Sequence, residues 1–128
     1  MNAKSTYSFA CAAFAAAVAV ASLAGCFSEH VGITQPSGEA LCTGVPPANV
    51  VRIQDFAFSP AQINVARGGT VIWVNCGQQQ HSSASDTGVW DSGLLARFAT
   101  YSRVFDTAGS FPFHCNPHPF MQATVVVQ

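Results

Sequence analysis

The residues best equipped for chemistry lie near the end of the chain, in Phe113-His114-Cys115-Asn116-Pro117-His118-Pro119-Phe120-Met121. The spacing is C-x-x-H-x-x-M, which places a thiol, an imidazole and a thioether close together. The stretch lies between two predicted strands, so it reads as a loop with Cys115 at its entrance. Side chains alternate along a strand. With Phe111 and Phe113 facing a core, Cys115 faces it too and His114 faces away. A thiolate ending a core-facing row is shielded from water. Such shielding suits a metal ligand that must neither oxidise nor exchange. Taken singly, each residue has a plainer reading: Met121 as a core filler, Cys115 as a small buried apolar residue, His118 as a surface-loop histidine. The spacing that joins them argues for a metal site.

The elements that would position this loop are strands. Val50-Val51-Arg52-Ile53 is short and β-branched, Phe56 and Phe58 alternate, and Ser59-Pro60 breaks the run. Ile63 and Val65 alternate again before a turn at Arg67-Gly68-Gly69. Further strands are predicted over 70–75, 101–106, 111–115 and 122–127, with a turn at Ala108-Gly109-Ser110. Residues 83–99 are ambiguous between a short helix and a loop. Short strands separated by turn signals predict an all-β fold, a Greek-key sandwich or barrel. No 3.6-residue apolar stripe follows the N-terminal region.

The loop, together with a distant upstream histidine, resembles the small blue copper proteins, or cupredoxins, of the plastocyanin and amicyanin type. The resemblance covers about residues 50–128. It includes Phe58-Ser59-Pro60, Gly-Gly-Thr-Val-Ile-Trp-Val-Asn ending at Asn75, and Trp90-Asp91-Ser92-Gly93-Leu94. It implies one type 1 copper held by His81, Cys115, His118 and Met121. His81 is the only histidine in the right interval, and Gln78-Gln79-Gln80 before it reads as an exposed loop. Two imidazoles and a thiolate with a weak axial thioether form the blue-copper arrangement. Soft sulfur favours Cu(I) and imidazole suits Cu(II), so the site need not rearrange much when an electron arrives. Zinc competes for Cys and His, but a Met ligand argues against a dedicated zinc site. Ser82 stands where some relatives carry an Asn that braces the ligand loop. Ser82 and Asn116 are thus expected to hydrogen-bond behind the ligands, where such bonds tune a metal.

The resemblance further implies an electron carrier, not an enzyme. A redox protein partner would dock on an apolar patch of Pro117, His118, Pro119 and Phe120, with the carrier a monomer. Copper delivery or storage by a periplasmic lipoprotein is the alternative. Dedicated copper carriers often expose Met- or His-rich stretches, and this chain has two methionines, one of them the initiator. A multicopper enzyme would need clustered His pairs, which four histidines cannot supply.

Composition sets the remaining bounds. A chain of 128 residues is one domain's worth. From Ala48 onward, Arg52, Arg67, Arg97 and Arg103 balance Asp55, Asp86, Asp91 and Asp106. Nucleic-acid binding would need a basic stripe, and none is present. The N-terminus carries Lys4 before an uncharged, Ala-rich run over 9–24, which reads as an export signal. The run ends in Leu23-Ala24-Gly25-Cys26, which resembles the bacterial lipobox. The expected division is a lipoprotein signal peptide over 1–25, a tether over 26–47 anchored by lipid on Cys26, and a cupredoxin domain over 48–128. The protein would then sit on the periplasmic side of a bacterial membrane, at the outer membrane or elsewhere. Cleavage without lipidation, giving a soluble protein, and an uncleaved membrane anchor stay open. Of five cysteines, Cys11 falls in the signal, Cys26 would carry lipid and Cys115 copper, leaving Cys42 and Cys76. Outside the cytoplasm such a pair is normally oxidised, and loop closure over that separation is worth roughly 3–4 kcal/mol.

Overall fold

The computed structural model describes residues 35–128. The expected signal 1–25, Cys26 and the first part of the expected tether lie outside the described residues. Among the described residues one helix, α1 (Gly38–Thr43), precedes eight strands: β1 (Val50–Gln54), β2 (Ala57–Ser59), β3 (Gln62–Val65), β4 (Gly69–Asn75), β5 (Ala84–Ser85), β6 (Thr100–Phe105), β7 (Gly109–Cys115) and β8 (His118–Val127). They form two four-stranded sheets, ordered β2-β1-β4-β6 and β3-β8-β7-β5. Pairing is parallel between β1 and β4 and between β3 and β8. The fold is the expected all-β sandwich of two sheets.

Strand alternation decides what lies between the sheets. Val51 and Ile53 of β1, Val71 and Trp73 of β4, Phe113 and Cys115 of β7, and Met121, Ala123, Val125 and Val127 of β8 all point into one core. Trp73 sits at its centre, with ring centroids 5.6–5.8 Å from Phe113, Tyr101 and Trp90. The chain passes from the first sheet to the second after β2, at Ser59-Pro60. Proline has no N–H to continue a ladder, so the break falls where the strand must leave its sheet.

Strands β1 and β4 read as nearly continuous apolar runs because both their faces are covered. The outward residues Val50 and Val74 pack with Leu41 of α1 in a second, smaller core. Helix α1 is capped by Ser37, whose hydroxyl accepts from Ala40 N. It is held down by Arg52, which donates to the carbonyls of Leu41 and Gly44, and by a disulfide between Cys42 and Cys76. The stretch expected as tether up to residue 47 carries α1, which Leu41, Arg52 and the disulfide dock against the sheet despite the surrounding Gly and Pro. One sequence expectation needs correction: β8 begins at His118 rather than Gln122. Cys115 pairs directly with His118, which leaves only Asn116 and Pro117 to turn the hairpin. The ambiguous 83–99 stretch is a loop with one two-residue strand, β5, paired to β7.

Candidate metal centre

The β7–β8 hairpin brings Cys115 and His118 face to face. A register irregularity falls between His114 and Cys115, just before the turn. Phe113 and Cys115 are buried, while His114 points outward and pairs with Asp86, Nδ1 to Oδ1, at 2.6 Å. Met121 falls on the core-facing row of β8 and is 2% exposed. Strand β4 and the loop after it deliver His81, which is fully buried. Its backbone forms a bridge with Leu95: Leu95 N donates to His81 O at 2.7 Å and His81 N to Leu95 O at 3.3 Å.

His81, Cys115 and His118 converge, each offering one donor atom, with all three atoms within 4.8 Å of one another. Cys115 Sγ lies 3.6 Å from His81 Nδ1 and 3.7 Å from His118 Nδ1. Two ligands bonded at ordinary metal–N and metal–S lengths in a trigonal plane would stand about 3.7 Å apart. The donor set therefore fits a copper between the two histidines and the thiolate. His81, at the centre of the core end, is sealed from water, whereas His118 is half-buried.

The sulfur is hydrogen-bonded and its turn is braced. Ser82 N donates to Cys115 Sγ at 3.4 Å, and Ser82 Oγ accepts from Asn116 N at 2.8 Å. Asn116 Nδ2 in turn donates to Asp91 Oδ2 at 2.9 Å. One serine thus contacts both the thiolate and the turn that follows it. Pro117, Pro119 and Phe120 are exposed around His118, and Phe120 is 70% exposed.

Three residues at the site had no role there in the sequence reading. Asp55, in the two-residue turn between β1 and β2, has Oδ1 at 3.2 Å from His81 Nε2. The backbone N–H groups of Gln78 and Gln79, and then His81, hold its carboxyl down to about 2 from an ordinary 3.8. Phe56, next to it, adopts φ 70 and stands edge-on to His118 at 5.2 Å between ring centroids. It adds to the apolar rim beside Phe120, 6.2 Å away. Asn75 is fully buried and ties the His81 loop together. Its Nδ2 donates to the carbonyls of Gln79 and Leu95 at 2.7 and 2.8 Å, and its Oδ1 accepts from Gly77 N at 2.9 Å. Asp55 and His81 are 26 positions apart; only the β1–β4 pairing brings them together, so no local motif could have joined them.

Comparison with known proteins agrees with this geometry. Residues 47–128 match the family described as copper binding proteins, plastocyanin/azurin family. The chain is 29% identical to the amicyanin of Paracoccus denitrificans over 109 residues, covering 81% of this chain and 83% of that protein. It is 33% identical to the plastocyanin of Scenedesmus fuscus over 86 residues, covering 57% of this chain and 88% of that protein. A solved structure of an oxidised amicyanin variant superposes with a TM-score of 0.61 at 30% identity, covering 68% of this chain and 89% of that one. The purple cupredoxin of Nitrosopumilus maritimus shares the fold, with a TM-score of 0.59 at 22% identity over 62% of this chain and 98% of that one. The chain belongs to the plastocyanin/azurin family of copper-binding proteins and is a cupredoxin built for one type 1 copper.

Proposed function

We propose that His81 Nδ1, Cys115 Sγ, His118 Nδ1 and Met121 Sδ hold the copper, and that the protein passes single electrons to and from a redox protein. Copper bound there would alternate between Cu(II) and Cu(I). The observation that carries this reading is the unequal exposure of the four donors. His81 and Cys115 are fully buried, Met121 is 2% exposed, and His118 alone reaches toward the surface. The His118 ring is therefore the short route between the buried donors and a docked partner. Phe56 and Phe120 stand edge-on to that ring, and Pro117 and Pro119 are exposed beside it. An apolar rim of this kind suits brief docking between redox proteins. The buried donors sit on paired strands and a braced loop, so the chain offers the metal a cage that does not adjust to its valence.

The same reading places the domain outside the cytoplasm, tethered to a bacterial membrane by lipid on Cys26. Support comes from Leu23-Ala24-Gly25-Cys26 at the end of an apolar run, and from the Cys42–Cys76 bridge, which oxidising compartments sustain. Mass spectrometry of the membrane-extracted protein checks this: acylation at Cys26 supports the anchor, and an unmodified mature N-terminus refutes it.

The deciding experiment is the absorption spectrum of the copper-loaded protein. An intense band near about 600 nm from thiolate-to-copper charge transfer is expected. Its absence would refute the ligand set. Stopped-flow mixing with a redox partner then separates carrier from delivery protein: a carrier exchanges electrons and keeps its copper, whereas a delivery protein surrenders the metal.

A further inference from the structure

The turn between β1 and β2 places a carboxylate directly behind the buried histidine. Asp55 Oδ1 is 3.2 Å from His81 Nε2. Gln78 N donates to both oxygens of that carboxylate at 3.0 Å, and Gln79 N donates to Oδ1 at 3.0 Å. The carboxylate is thus fixed by backbone before the histidine meets it. Its seat depends on Gly77: a Cβ at that position would fall on Asp55 Oδ1 and lie 2.9 Å from the Asp55 nitrogen.

This arrangement has a chemical consequence. An ionised carboxylate only accepts hydrogen bonds, so His81 Nε2 must carry the proton. Nδ1 is then left with a free lone pair, and Nδ1 is the atom 3.6 Å from Cys115 Sγ. Because His81 is fully buried, no water can take over as acceptor. A carboxylate that draws on the imidazole N–H makes the opposite nitrogen a stronger donor. A stronger nitrogen donor favours Cu(II) over Cu(I).

We propose that Asp55, seated by Gly77, is a positioning residue that fixes the tautomer of His81 and holds the reduction potential of the copper down. The proposal rests on His81 being a copper ligand, as proposed above. The competing account makes Asp55 only a staple for the Gln78–Gln79 backbone, with no influence on the metal.

The test compares the wild-type protein, Asp55→Asn and Gly77→Ala, each loaded with copper, by absorption and by redox titration. In Asp55→Asn the ratio of Cu(II) to Cu(I) affinity should fall about tenfold, which raises the potential by about 59 mV for one electron. Gly77→Ala displaces the carboxylate without removing its charge and should shift the potential in the same direction. An independent readout is NMR of the wild-type Cu(I) protein, where a slowly exchanging His81 Nε2–H signal is expected. If the band near about 600 nm persists while the potential of both variants stays at the wild-type value, the proposal is overturned, even if both melt earlier. Absence of the Nε2–H signal also overturns it, and keeps the question decidable should Asp55→Asn fail to fold. Absence of the band in the wild type removes the ligand assignment itself, and this inference falls with it.

Discussion

Replacing both Cys42 and Cys76 by serine should undock α1 and destabilise the domain while leaving the copper site formed. The bridge spans 34 residues. In the chain-entropy treatment, closing a loop of that length is worth about 3.8 kcal/mol at 25 °C. For a domain of this size, about 1 kcal/mol corresponds to 4 °C or more in melting temperature, so a fall of roughly 15 °C follows. The local effect is larger in proportion. Burying Leu41 contributes about 2 kcal/mol, and the two bonds from Arg52 add about 2–3 kcal/mol each at most. Ordering residues 37–44 costs about 1–2 kcal/mol per residue, so the contacts at best break even. A six-residue helix has no stability of its own to add. Without the bridge, α1 should therefore be detached in the folded protein. His81 should stay in place, because Asn75, Asp55 and the Leu95 bridge hold its loop without the disulfide. The assays are urea unfolding, amide exchange at Leu41 (whose N–H bonds Ser37 O at 3.0 Å) and the visible spectrum. An unchanged urea midpoint with Leu41 still protected would refute the entropy argument. Loss of the visible band would show that the disulfide, not the loop's own ties, positions His81.

Three further outcomes are expected. Asn75→Ala removes one hydrogen bond each from the Gln79 and Leu95 carbonyls and from Gly77 N. It should cost about 3 kcal/mol, read as a shift in urea midpoint at constant slope, and Asn75→Asp should cost more because a carboxylate would face two carbonyls. Phe56→Asn should leave stability unchanged or raise it by up to about 1 kcal/mol, since asparagine tolerates the left-handed conformation that Phe56 adopts at φ 70; electron self-exchange, followed by NMR line broadening, should slow because the apolar rim is broken. The carboxyl of Asp55 is lowered to about 2 from 3.8 in the folded state, so its contribution is complete above its unfolded value and is lost as pH falls through the folded one. The stability gap between wild-type apoprotein and Asp55→Asn should thus close between about pH 4 and about pH 2, and a gap that stays constant across that window would contradict the assignment.

The sequence was legible where the physics is local. Alternation of Phe113 and Cys115, and of Ile63 and Val65, shows in the chain because a strand's two faces differ by one residue. The spacing from Cys115 to Met121 shows because a two-residue turn returns the chain at once onto its own ladder. What the sequence hid is non-local. Residues 70–74 look like any apolar strand, and nothing there tells that Val74 faces Leu41 while Trp73 faces the main core. Helix α1 was masked by Gly44, Pro46 and Pro47, which mark where it stops but also resemble a linker. Phe56 reads as one member of an alternating pair with Phe58, yet its positive φ turns its ring from the sheet toward His118.

The distribution of ties across the site follows from chain distance. Cys115 and His118 are neighbours on a ladder, so forming the hairpin fixes their separation; Ser82 and Asn116 only trim it. His81 arrives from 34 residues away, and its position relative to the thiolate is set by whatever holds its loop. There the ties accumulate: a two-sided backbone bridge to Leu95, three hydrogen bonds from Asn75, a carboxylate from Asp55 and a disulfide at the loop's first residue. Each alone would leave the imidazole a degree of freedom, such as ring flip, loop slide or rigid displacement. The bridge stops sliding, Asn75 stops the loop from opening, and Asp55 stops the ring from flipping because only Nε2 can face it. A centre that must not rearrange as its charge changes needs its most distant ligand to be its most constrained one, and in this protein it is.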